Sequence, residues 1–124
     1  MLGLLFRFSE KCFKYEKALM RVCFLLKVRT EKVPEYKLRH AHVWPEMLDA
    51  LRQTGWTNYS IFLRPDGLLV GYLETDDFEK STAAMKLHPI NARWQSEMAE
   101  FFESLGDRAV DDNILPLEEV FHLD

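Results

Sequence analysis

The 124-residue chain holds only two cysteines, Cys12 and Cys23, and neither stands in a CxxC pair or a Cys/His cluster. That spacing offers no disulfide framework and no zinc site, so both thiols are expected to be free in a reducing compartment, the cytoplasm. Long apolar runs are missing as well. Crossing a bilayer takes roughly 20 consecutive apolar residues, and no stretch approaches that, so no membrane partner is expected. Positive charge is never concentrated: the formal net charge is −4, with both signs mixed along the chain. Without the basic stripe that phosphate contacts require, no nucleic-acid partner is expected either. GxSxG, P-loop and Rossmann glycine patterns are absent, and no Cys–His pairing suggests nucleophilic catalysis.

What is present is the composition of a folded domain, 48% apolar and 13% aromatic, in a length that fits a single unit. Surface-to-volume scaling at this size favours help from a partner subunit. Residues 1–17, "MLGLLFRFSEKCFKYEK", stand apart as an N-terminal extension expected to lie outside the fold. Arg7 interrupts their short apolar part and no small-residue cleavage site follows, a poor fit to a secretory signal; an amphipathic presequence is the other reading. Residues 18–124 form the expected single domain.

"MRVCFLLKV" at residues 20–28 reads as a strand. Pro34 and Glu35 suit the first turn of a helix, and "PEMLDALRQTG" is a second helix with Met47, Leu48 and Leu51 on its buried face and Gly55 as its stop. "TNYSIFLR" and "LLVGYLET" flank the turn former "RPDG", which predicts a hairpin over residues 57–75. Asp76 and Asp77 can cap a short helix that ends at His88 and Pro89. "INARWQSEMAEFFESL" predicts a longer one, with Ile90, Trp94, Met98, Phe101, Phe102 and Leu105 on one side. After the loop "GDRAVDDNILP", "LEEVFHL" reads as a last strand.

Strand, helix, hairpin, helix, strand is the split βαβ order of an α+β, ferredoxin-like domain: a four-stranded antiparallel sheet with helices on one face. Such a sheet leaves its second face bare. Phe24, Phe62, Tyr72 and Phe121 are expected to face outward there, and two copies packing sheet to sheet would cover them, which predicts a homodimer of the dimeric α/β-barrel type.

Three groups could carry chemistry. In "YKLRHAHVWPEM" Tyr36 and His40 share a helix face, and Pro45 forces a break that leaves His40 in the last turn of the first helix. There the carbonyl ends favour a cation and hold the imidazole near a useful pKa. A core histidine bonded to a backbone carbonyl fits the same stretch, and Trp44 reads as structure. Metal binding by His40 and His42 is not expected, because residues two apart on a helix diverge by roughly 200° and no third ligand stands at a suitable spacing. Tyr59, Trp94 and Gln95 form the second group. Flat aromatic faces suit the C–H faces of a sugar ring and an amide suits its hydroxyls; packing between helix and sheet would equally explain Trp94. The carboxylate pairs Asp76–Asp77 and Glu118–Glu119 read as cap and edge-strand charges.

Together, "YKLRHAHVWPEM", "TNYSIFL", "NARWQSEM" and "LEEVFHLD" resemble, in order and spacing, the L-rhamnose mutarotases over residues 20–124. The resemblance implies a ferredoxin-like dimer that interconverts the α and β anomers of L-rhamnose without metal or cofactor. By the same resemblance His40 is the catalytic proton donor, Tyr36 and Tyr59 bind the sugar, and the tryptophan pair that holds it falls on Trp94 and Gln95. Gln95 departs from the tandem-tryptophan form, giving a smaller stacking surface and an added amide. Two other readings stand beside this one: a haem or quinone enzyme of the monooxygenase type, and a non-catalytic sugar-binding module.

Overall fold

In the computed structural model, which describes residues 19–103 and 114–124, Val22, Phe24, Leu26 and Val28 all lie on one buried face. The first three belong to strand β1, Met20–Lys27. A 3-10 turn at Thr30–Lys32 leads into helices α1, Val33–Ala41, and α2, Pro45–Gln53. The hairpin follows as β2, Thr57–Leu63, and β3, Leu68–Thr75. Helices α3, Phe78–Lys86, and α4, Pro89–Met98, come next. The strands form an antiparallel sheet in the order β1-β3-β2, and the core lies between one face of it and the helices. This is the α+β arrangement expected from the sequence.

The boundaries follow local chemistry. Gly55, at φ +92°, closes α2 in a Schellman motif: Trp56 N donates to Leu51 O at 2.9 Å and Gly55 N to Arg52 O at 3.2 Å. That left-handed residue is what turns Trp56 back under the sheet, where it is buried. Asp77 rather than Asp76 caps α3, its carboxylate accepting from Lys80 N at 3.1 Å. His88 caps α4, taking the Ile90 amide on Nδ1 at 3.3 Å just before Pro89.

Four expectations need correction. The sheet has three strands rather than four among the described residues, because residues 117–123 form no strand. This tail does reach the free edge of β1, where Leu117 N donates to Cys23 O at 2.7 Å and Arg21 pairs with Glu119 at 2.7 Å. Its apolar side chains Val120, Phe121 and Leu123 remain exposed, so burial adds nothing to the pairing. Phe24 does not face outward: it is 1% exposed and pairs in register with Gly71, whose missing side chain makes room for the ring. Phe62, by contrast, is 62% exposed on the opposite face. Leu48 is half exposed, its expected place on the buried face of α2 taken by Ala50. The last helix ends at Met98, after which a 3-10 turn and an extended Phe102, bridged to Val28, bury Phe101 and Phe102 instead of a further helical turn. The proposed extension at residues 1–17, with Cys12, and Leu105 lie outside the described residues.

Candidate active site

Pro45 sets the geometry. It stands at the first position of α2 and holds Trp44 in an extended conformation (φ −58°, ψ 136°), which ends the helical path three residues beyond α1. His40 consequently occupies the last turn of α1, with its ring stacked on Tyr36 one turn back (centroids 4.1 Å, interplanar angle 26°). Its Nδ1 donates to the Tyr36 carbonyl at 3.0 Å. A carbonyl can only accept, so this bond fixes the tautomer and leaves Nε2 as the basic nitrogen. Trp94 of α4 meets the His40 ring edge-on at 5.6 Å and 84°. Trp44 meets Trp94 at 5.1 Å and 88°, with the Arg93 guanidinium over its own ring.

The His40 and Trp94 rings border a cavity of about 340 Å³ lined also by Val43, Met47, Trp56, Tyr59, Asn91 and Gln95. A smaller inner chamber of about 60 Å³ opens behind it, and His40, Tyr59, Trp94 and Gln95 line both. Tyr36 lines the inner chamber alone, with Phe24 and Leu26 on its floor. Tyr59 reaches the site from β2, next to a register shift between Thr57 and Ser60. At that bulge Asn58 adopts φ +46°, anchored by its Nδ2 to Glu74 Oε2 at 2.5 Å. Such a bulge re-aims the neighbouring side chain. The structure thus brings all five residues expected from the sequence, Tyr36, His40, Tyr59, Trp94 and Gln95, to one place.

The electrostatics differ from the sequence expectation in one respect. Burial pushes the His40 imidazole below its ordinary value, and the hydrogen bond to the Tyr36 carbonyl opposes this only in part. Desolvation therefore outweighs that hydrogen bond, and the neutral ring is favoured. Burial, with Tyr59 adding to it, raises the Tyr36 hydroxyl far above the usual phenol range, so it stays protonated. Among the described residues no group of three or more His, Cys, Asp or Glu is arranged to hold a metal ion. What the site offers is one basic nitrogen, two phenols, an amide pair and aromatic walls.

The sequence model of the L-rhamnose mutarotases matches residues 21–123. The chain belongs to the L-rhamnose mutarotase family. That makes it an isomerase, of the kind that interconverts sugar anomers. An L-rhamnose mutarotase from Flavobacterium johnsoniae is 36% identical over 107 residues, covering 85% of this chain and 96% of that protein. One from Bacillus subtilis is 38% identical over 105 residues, covering 84% and 98%. The crystal structure of an L-rhamnose mutarotase from Formosa agariphila superposes with a TM-score of 0.67 at 26% identity, covering 85% of this chain and 99% of that one. Membership in the mutarotase family favours the first of the three readings left open by the sequence.

Trp56 and Asn91 line the cavity without a motif in the sequence that marks them. Trp56, for which the sequence suggests no role, packs against Tyr59 at 5.1 Å and forms a wall of the cavity. Asn91, 3% exposed, lies one turn before Gln95 and accepts its Nε2 at 3.3 Å. The i,i+4 spacing of two amides was the available signal for it.

Proposed function

We propose that the chain interconverts the α and β anomers of L-rhamnose, with His40 as the general acid/base and neither metal nor cofactor taking part. The observation that carries this reading is the engaged Nδ1 of His40, which leaves its Nε2 as a base on the wall of the cavity. Ring opening moves one proton. Nε2 takes it from the anomeric hydroxyl, the C1=O1 double bond forms, the C1–O5 bond breaks, and the imidazolium returns the proton to O5. Both oxygens hang on the same carbon, so one nitrogen can serve both. Rotation about C1–C2 presents the other carbonyl face to O5, and the reverse transfers close the ring as the opposite anomer. Trp94 and Tyr59 would flank the C–H faces of the sugar while Tyr36 and Gln95 meet its hydroxyls. The apolar residues Val43, Met47 and Met85 suit the methyl group of a 6-deoxy sugar.

Because burial holds His40 below 6.5, the imidazole is neutral at pH 7. Exchange is expected to stay level from neutral into mildly alkaline solution and to fall on acidification, with a midpoint below 6.5. The unfolded chain takes up this proton more readily than the folded one, so stability falls with the pH from about 6.5 down to the lowered folded value. A pH–rate profile beside a pH series of denaturation midpoints checks both. An acid limb above 6.5 would contradict the assignment.

We also propose that residues 18–124 act as one domain in the cytoplasm and that a second copy completes the barrel. Leu25 and Phe62 on the open sheet face, and Val120, Phe121 and Leu123 on the tail, are all exposed and apolar. A partner presenting the same face would cover both sets and give the tail a reason to pair as a fourth strand. Sedimentation equilibrium should report a dimer, and Phe62→Asp should shift it toward monomer; a wild type that stays monomeric at high concentration would refute this.

The activity itself is tested by saturation-transfer NMR on L-rhamnose at anomeric equilibrium. Catalytic amounts of purified protein should speed exchange well beyond the buffer rate. Binding by calorimetry with no acceleration would replace the enzyme with a sugar-binding module.

A further inference from the structure

The amide of Gln95 is divided between two environments. Its Nε2 donates to Asn91 Oδ1, while its Oε1 is buried and has no hydrogen-bond partner among the described residues. An orphaned buried carbonyl oxygen is uncommon in native proteins and costs stability unless something supplies a donor. This one belongs to a side chain lining both chambers of the cavity, in the company of His40, Tyr59 and Trp94.

We infer that Gln95 Oε1 accepts a hydrogen bond from one particular hydroxyl of the bound sugar, and that Asn91 is the positioning residue that sets the amide's polarity. The inference rests on the sugar-binding reading of the site proposed above. Asn91 is buried on the same face of α4, one turn away, and presents its carbonyl oxygen to Gln95. Turning the Gln95 amide over would set two carbonyl oxygens against each other. With the Asn91 carbonyl oxygen in this orientation, the pair holds Nε2 toward Asn91 and leaves Oε1 to accept. A substrate must bring an O–H to that point. A hydrogen or a fluorine in place of the hydroxyl cannot donate, and a site built around a hydrogen bond rejects such analogues much more strongly than an apolar wall would.

The test is a binding panel of L-rhamnose with its 2-, 3- and 4-deoxy and deoxyfluoro analogues, read by calorimetry. Wild type should lose affinity on the order of tenfold or more for both analogues at one position, and far less at the other two. Gln95→Leu should weaken L-rhamnose by a similar factor and lose that positional preference. Asn91→Ala, which removes the acceptor for Gln95 Nε2, should blunt it. In exchange assays the Gln95→Leu loss should fall on KM more than on kcat. Uniform weakening across the panel, or a Gln95→Leu protein with the wild-type pattern, overturns the inference. Binding discrimination without accelerated exchange would sink the mutarotase reading and leave this one standing; accelerated exchange with no positional preference would do the reverse.

Discussion

His40→Gln is expected to slow catalysed anomer exchange by about 10²–10⁴-fold, the usual contribution of one positioned general acid/base. Glutamine is the informative choice because its amide approximates the volume between Tyr36 and Trp94 and can still donate to the Tyr36 carbonyl. What it cannot do is accept and release a proton near neutral pH. Alanine would confound the result by opening a gap against two rings that now lie 4.1 Å and 5.6 Å from the imidazole centroid. His42 supplies the control: it is exposed, its Nδ1 stands 3.3 Å from the Leu38 carbonyl, and it lines neither chamber. His42→Gln should leave exchange within about twofold of wild type, since the side chain meets neither chamber and a surface change of this sort shifts stability by only about 0.5 kcal/mol. A His40→Gln protein that folds, binds L-rhamnose and still accelerates exchange would remove His40 from the mechanism.

The arrangement around His40 was legible because its causes are local. Pro45 forbids a continuous helix and fixes the conformation of the residue before it, so the break, and His40's place in the last turn, follow from the sequence alone. Gly55, Asp77 and the 64–67 turn are legible for the same reason. The sign of the His40 shift was not. It depends on burial, to which Trp94 contributes from 54 residues away along the chain (94 − 40), and no local rule predicts that desolvation outweighs the hydrogen bond to Tyr36. The fourth strand was misread for a related reason. "LEEVFHL" has strand composition, but a strand needs a covered face as well as a paired edge, and within one chain nothing covers this one. Gln95 is an intermediate case: its departure from tryptophan was visible, whereas the orphaned oxygen that gives the departure a meaning appears only once Asn91 is seen buried beside it.

Phe24 marks the other limit of the sequence, and it carries the largest expected effect on stability. "MRVCFLLKV" is apolar on both faces, so alternation separates Val22, Phe24 and Leu26 from Cys23 and Leu25 without saying which set is inside. The deciding residue sits on another strand. Gly71 of β3 stands opposite Phe24, and a methyl group there would come within 2.6 Å of both Cε atoms of the ring. Phe24→Ala is expected to cost about 3–5 kcal/mol, a large share of the roughly 5–15 kcal/mol that holds a typical domain together. Gly71→Ala should cost about 1–3 kcal/mol as overpacking, and its damage should extend to function. Phe24 floors the inner chamber and lies 6.4 Å from the Tyr59 ring, so a displaced ring intrudes where the sugar is proposed to bind. The two changes should not add. Once the ring is gone the new methyl group meets open space, and alanine suits a strand better than glycine by about 0.5–1 kcal/mol. Urea denaturation of the two single variants and the double variant measures the coupling. The double variant is expected to be no less stable than Phe24→Ala alone. Simple additivity would mean that Gly71 is not what admits the ring, and that the choice of face on β1 is made elsewhere in the core.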